Sequence, residues 1–462
     1  MTAAVSPSAP PATPAAETSP SSSARAIPQA RVHWRSFDLL RGLAAVLMVI
    51  NHVGYMLTAD DALPWVHSAS DAGVIHSTPL QWAVLLGAFA PVVFFFITGL
   101  GYGIQSGRAK PKRLLDLTEK VLILVLADAL MWRTAGYDLG LDFLGFIALS
   151  MVVLTAVLKC DARSKRETPA ARWLTPSVLV AGVALVIVLG LRFVAGPSAE
   201  RVFGLEPGGW LDIVTGRNVP GGGGPGVVAE RVPGSWNLGI SFPPIPWLVF
   251  PLAGFVLGAW LKAKRDWLRA HRGVFALCML SGASVCLAGV ALLLMRGGEL
   301  HRWGTISVAS VLAAFAVVTV LTALCVFVEE KGGALRKIVD ALSLRGIAAF
   351  SVVPLHFLMI GLATLFGWQP TTTLTITLAT GVILVIAMSL APRFVPLGQA
   401  VAKAATNGAA WRYWLVGLLV PVVLLLTVTP GSIDDDALRR VLVASGQLVL
   451  CVMLVLPPLR PR

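Results

Sequence analysis

Arg41 and His52 stand eleven residues apart within one apolar stretch, RSFDLLRGLAAVLMVINHVGYML (35–57). On a helix, eleven residues turn about 1100°, roughly 20° past three full turns, so both side chains share a face about 16 Å apart along the axis. Asp38 precedes Arg41 by one turn, the spacing at which a carboxylate and a guanidinium pair on a helix. An imidazole deep in such a helix suits proton transfer: it can take a proton from a hydroxyl or amine, or itself attack an activated carbonyl. Two further groups qualify. Asp128 lies in RLLDLTEKVLILVLADALMW (113–132), sixteen residues past Lys112, just as His52 lies sixteen past Ser36. Both are therefore expected at one depth, about 24 Å from the basic end. Asp128 is expected to fix the tautomer of His52 and stabilise its protonated form, with Asp142 as the rival partner. His356, in LSLRGIAAFSVVPLHFLMIGL (342–362), follows Arg345 by eleven residues and so also lies about 16 Å in. Pro354 removes a backbone hydrogen bond close by, which suggests a kink lining a cavity.

The elements that must hold these groups are membrane helices. Of the 462 residues, 56% are apolar and 13% charged, and the mean hydropathy is +0.78. Soluble domains carry about 25% charged residues, so the chain reads as an all-α, polytopic membrane bundle. Apolar runs of spanning length fall near 37–57, 80–104, 114–132, 141–159, 176–195, 245–261, 273–295, 304–328, 345–367, 372–391, 412–429 and 438–457, which predicts 11–12 spans. Basic clusters follow alternate spans: Arg108 to Arg113, Lys159 to Arg172, Lys262 to Arg272, and Lys331 to Arg345. The intervening loops are poor in Lys and Arg and hold Asp60, Asp61 and Asp71, or Asp434 to Asp436. The positive-inside rule then makes both termini cytoplasmic, with the plasma (inner) membrane as the expected location.

Residues 1–34 are rich in Ala, Pro, Ser and Thr and read as a disordered cytoplasmic tail. Residues 35–367 hold every candidate group, and 368–462 add further helices. The longest connection, 196–244, contains NVPGGGGPG (218–226) and reads as a flexible outer loop, a lid or simply disordered. That glycine run lacks both the preceding strand and the following Lys-Ser/Thr of a phosphate loop.

The net charge of +13 sits in clusters between apolar runs, with little aromatic character around them, which disfavours nucleic acid. The five cysteines form no CxxC pair, and no metal motif is visible. Two functional classes remain. One is an enzyme that uses His52 as base. The other is a proton-coupled transporter or flippase using His52, Asp128 and His356 as a relay, though no repeat of the first half in the second is visible.

RSFDLLRGLAAVLMVINH resembles the first helix of the heparan-alpha-glucosaminide N-acetyltransferase catalytic-domain family, within the wider acyltransferase-3 type membrane acyltransferases. An Arg, ten intervening residues and a His mark that span; here they are Arg41 and His52. FFFITGLGYGI (94–104), LDFLGFIALS (141–150), FPPIPWLVFPLAGFVLGAWL (242–261) and 342–362 follow in family order, covering residues 35 to 365. The resemblance implies transfer of an acyl group from acetyl-CoA to a hydroxyl or amine of a glycan or lipid-linked sugar, without a metal. On that reading Arg41, Asp38, Arg345 and Arg113 belong to the donor site, and His52, Asp128 and His356 are catalytic. The glycine-rich loop and the extra C-terminal helices depart from the family pattern.

Overall fold

The computed structural model describes residues 34–58, 79–106, 114–134, 139–163, 174–193, 226–227, 238–297, 307–329, 333–405, 410–428, 433 and 435–454. From Arg35 onward they belong to one compact unit. The order is α1 (Arg35–Met56), α2 (Pro79–Gly87), α3 (Ala90–Gly103), α4 (Leu114–Thr134), β1 (Leu139–Leu141), α5 (Phe143–Arg163), α6 (Pro176–Phe193), β2 (Gly226–Val227) and β3 (Leu238–Ile240). It continues with α7 (Pro244–Trp247), α8 (Val249–Ala263), α9 (Arg265–Ala270), α10 (Arg272–Met295), α11 (Val308–Val328), α12 (Gly333–Leu342) and α13 (Ile347–Leu365). α14 (Thr373–Leu390), α15 (Phe394–Ala405), α16 (Ala410–Thr427) and α17 (Asp436–Met453) complete it.

The protein is a multi-pass helical membrane bundle. All twelve apolar runs coincide with helices among the described residues, but fewer pass as spans. Among the described residues seven helices are long and apolar enough to cross a membrane, or eight if α2 and α3, bent by 41° at their junction, form one. α6 and α16 are apolar but short. α4 and α17 fail for a different reason: Asp116, Glu119, Lys120, Asp128 and Arg133 punctuate the first, and Asp436, Arg439 and Arg440 the second. α17 is nonetheless integral, since it packs on α13 and α4 and its Gln447 Nε2 donates to the carbonyl of Ala127 at 2.8 Å. Most of the long loop 196–244 and all of 1–33 lie outside the described residues, but two pieces of that loop are strands. β3 pairs parallel with β1 and antiparallel with β2, so the return of the loop is tied to the start of α5.

Two glycine pairs set a close helix crossing. Gly99 and Gly103 on α3 face Gly254 and Gly258 on α8, each pair separated by three residues. A Cβ at any of the four would come within 3 Å of backbone on the other helix: Pro251 and Phe255 for the α3 pair, Phe96 and Leu100 for the α8 pair. Close backbone approach through small residues is how helices associate in lipid, where apolar side chains gain little by leaving their surroundings. Above this crossing the aromatic segments 94–96, 143–146 and 242–247 converge. Phe95 lies tilted against Phe146, ring centroids 4.4 Å apart, and meets Phe242 edge-on at 5.1 Å, and Phe242 meets Trp247 at 4.7 Å.

Candidate active site

α1 and α13 run parallel and carry the site between them. At their shared starting end, the buried Asp38 organises two guanidinium groups. Arg41 Nη1 donates to Asp38 Oδ1 at 2.6 Å, and Arg345 Nε lies 3.7 Å from Oδ2. The backbone closes the same joint, for the N–H of Leu344 donates to the carbonyl of Asp38 at 3.0 Å. Gly42 is required there, because a Cβ at that position would collide with the carbonyl of Leu342. The ion pair expected from the sequence is thus present, and Asp38 serves as the common anchor of two arginines. Arg113 lies outside the described residues.

Eleven residues along each helix from those arginines, the two histidines meet. His52 Nδ1 and His356 Nε2 are 2.7 Å apart, with ring centroids 5.0 Å apart and planes within 14°. Phe357 covers both rings, at 4.9 and 4.4 Å. The other nitrogen of His356, Nδ1, lies 2.8 Å from the carbonyl oxygen of Val352. A carbonyl can only accept, so His356 Nδ1 carries a proton and donates it. In neutral His356, Nε2 is then the acceptor, and the bond to His52 forms only if His52 Nδ1 carries the proton. That leaves the lone pair of His52 on Nε2, to which no described residue hydrogen bonds. The order Val352 carbonyl, His356, His52 is that of a general base with its orienting group, fixed from behind. Asn51 Nδ2 holds α1 to α2 beside it, donating to the carbonyl of Val84 at 3.0 Å.

The sequence-based partner for His52 was Asp128, and here the structure differs. The buried carboxylate of Asp128 accepts from the backbone N–H groups of Asp142, at 2.8 Å, and Leu144, at 3.1 Å. It satisfies two orphan donors at the start of α5, the role of a helix cap supplied from outside the helix. Asp142, the rival, bonds to the Ser241 side chain, where β3 ends. Both acids tie α4, the start of α5 and the end of β3 together. Asp128→Asn is therefore expected to lose one of two charge-assisted bonds, about 1.5–3 kcal/mol. It would lower the melting temperature in detergent while leaving turnover of the folded fraction unchanged. A large turnover defect at normal thermal stability would restore a catalytic role.

A cavity of about 390 Å³ starts at the level of Arg41 and extends toward the histidine pair, although neither His52 nor His356 lines it. Arg41, Gln105, Lys120 and Gly346 line it at the end where α1, α4 and α13 begin and α3 ends. Phe94, Phe143, Phe350 and Val353 line it farther in. Val353 is three residues before His356, so the cavity wall runs to within one helical turn, about 4.5 Å of rise, of the histidine pair. The volume falls in the range of small-molecule sites. Lys120 was missed from the sequence, although it stands in an apolar run one turn before Leu124, which lines the same wall. Among the described residues no cluster of three or more His, Cys, Asp or Glu side chains could hold a metal. Comparisons with protein-family models and with characterised proteins find no match for this chain.

Proposed function

We propose that this protein is a membrane-embedded acyltransferase that moves an acetyl group from cytosolic acetyl-CoA to a hydroxyl or amine of an extracytoplasmic glycan or lipid-linked sugar. What supports the reading most is the tautomer-locked His52–His356 pair, one turn beyond a cavity whose mouth is cationic and whose inner walls are apolar. The clustering of Lys and Arg at alternate loops supports a cytoplasmic side for the Arg41 mouth. There Arg41, Arg345 and Lys120 would meet the phosphates of coenzyme A, to which guanidinium groups bind with two parallel bonds. The pantetheine arm would follow the apolar wall. His52 Nε2 would take the proton of the acceptor hydroxyl or amine as its oxygen or nitrogen attacks the thioester carbonyl. The carbon–sulfur bond breaks, and the departing thiolate leaves as the thiol with the proton from His52. The atoms balance as acyl-CoA plus acceptor giving acylated acceptor plus free coenzyme A.

The test is acetyl-CoA binding by the purified, detergent-solubilised protein. Saturable binding to wild type is expected, weakened about 10- to 100-fold by Arg41→Ala, the value of one hydrogen bond to a charged group. Binding untouched by that substitution would remove the phosphate role of Arg41. No binding in wild type would end the acyltransferase reading and leave a proton-coupled transporter, for which the same histidine pair would serve as a relay.

A further inference from the structure

α12 is ten residues long, GALRKIVDAL, and lies between two spans: four residues separate it from the end of α11 and four from the start of α13. Such short tethers hold it at the level where those helices leave the bilayer. Its apolar residues Leu335, Ile338, Val339 and Leu342 fall at i, i+3, i+4 and i+7, a single stripe. Only part of that stripe is used by the protein. Val339 is 3% exposed, on the side where α12 touches α1, whereas Leu335 is 39% and Ile338 55% exposed. Arg336 and Lys337 are exposed on the other side, and Arg336 is shared with Asp340 at 3.8 Å. Asp340 in turn pairs with Arg35 at the start of α1. Uncovered apolar side chains beside exposed cations, held at the membrane surface, match a helix lying in the interface plane over anionic headgroups.

We propose that α12 is seated in the adjoining leaflet, with Leu335 and Ile338 among the acyl chains and Arg336 and Lys337 on the phosphates of anionic phospholipid, and that this seat holds the donor mouth in place. The second half rests on the acyltransferase reading. The connection is short: Leu342, the last residue of α12, supplies the carbonyl packed on Gly42. Leu344 and Arg345 then bind Asp38, and Gly346 lines the cavity. Displacing α12 from the surface would pull on all four.

The experiment uses the full chain in nanodiscs of phosphatidylcholine with or without phosphatidylglycerol. Spin labels are placed singly at positions 335, 337 and 338 in a variant whose five cysteines are alanine. Labels at 335 and 338 are expected to be relaxed by oxygen, and the label at 337 by a water-soluble nickel chelate. Co-purified phosphatidylglycerol should fall about fivefold with Lys337→Gln, the effect of one basic charge at a membrane surface. Labels at 335 and 338 that respond mainly to nickel, or phosphatidylglycerol retention unchanged by Lys337→Gln, would overturn the seat. Acetyl-CoA binding is then measured on the same discs. Weaker binding in Ile338→Asp, and in wild type without phosphatidylglycerol, is the expected coupling; equal affinity in all three overturns it. If the labels report a seated helix but wild type binds no acetyl-CoA in any disc, the lipid contact stands and the acyltransferase reading falls.

Discussion

His52→Ala is expected to lower acyl transfer by about 10²- to 10⁴-fold, the range that a positioned general base contributes. The assay presents radiolabelled acetyl-CoA to membranes and counts label in the glycan and lipid-linked sugar fraction. Donor affinity should stay within about twofold, because on the proposed reading the phosphates would be held some 16 Å away at Arg41 and Arg345. Position 356 separates chemistry from packing. His356→Gln can place a carbonyl oxygen where Nε2 stood and still accept from His52 Nδ1, so it should keep much of the activity. His356→Phe fills the space with no acceptor, frees the tautomer of His52, and should approach the loss seen in His52→Ala. Equal activity in the Gln and Phe variants would falsify the orienting role of His356. Full activity in His52→Ala would remove the base altogether.

The second large effect is structural. Gly254→Val would drive a branched side chain into the carbonyl of Phe96 and force α3 and α8 apart. Overpacking of a well-packed core costs roughly 1–3 kcal/mol, and the upper end applies where the obstacle is backbone that cannot rotate away. Loss of the folded, monodisperse protein in mild detergent, or a much lower melting temperature, is the expected result. Gly182→Ala is the control. It lies in α6 with nothing within 4 Å of the added atom, and alanine is the better helix former by about 1 kcal/mol. It should be neutral or slightly stabilising. If both variants melted alike, the glycine pairs would not be what sets the crossing.

Much of this architecture is legible in the sequence, because hydrocarbon leaves the backbone few options: each long apolar run had to be a helix. Counting spans was harder. α4 and α17 carry charges whose partners do not show in a hydropathy profile: the backbone at the start of α5 for Asp128, and Arg439 one turn on for Asp436. The pairing of His52 was misassigned for an instructive reason. Its depth was matched to Asp128 by counting from two unrelated residues, Ser36 and Lys112. The better ruler was in view: His52 follows Arg41, and His356 follows Arg345, by the same eleven residues. That both arginines bind one carboxylate, which sets the two counts to a common zero, is a tertiary fact. The glycine pairs were legible too, as GLGYG and GFVLG, but nothing local says that these two segments face each other. Asp128 looked catalytic because a buried carboxylate is costly in a membrane; the backbone donors that offset this cost belong to a helix fourteen residues downstream.

The histidine pair is joined across 304 residues of chain, and at the other end of α1 the backbone N–H of Arg35 meets Glu329 across 294. Ribosomes add about 5 to 20 residues per second, so the second histidine is made about 15 to 60 s after the first. Throughout that interval His52 lacks the ring that fixes its tautomer. A chain stalled before residue 356 therefore holds an imidazole free to tumble between proton arrangements, and truncated products should be chemically silent. On the proposed reading, synthesis of the second histidine is what would arm the site.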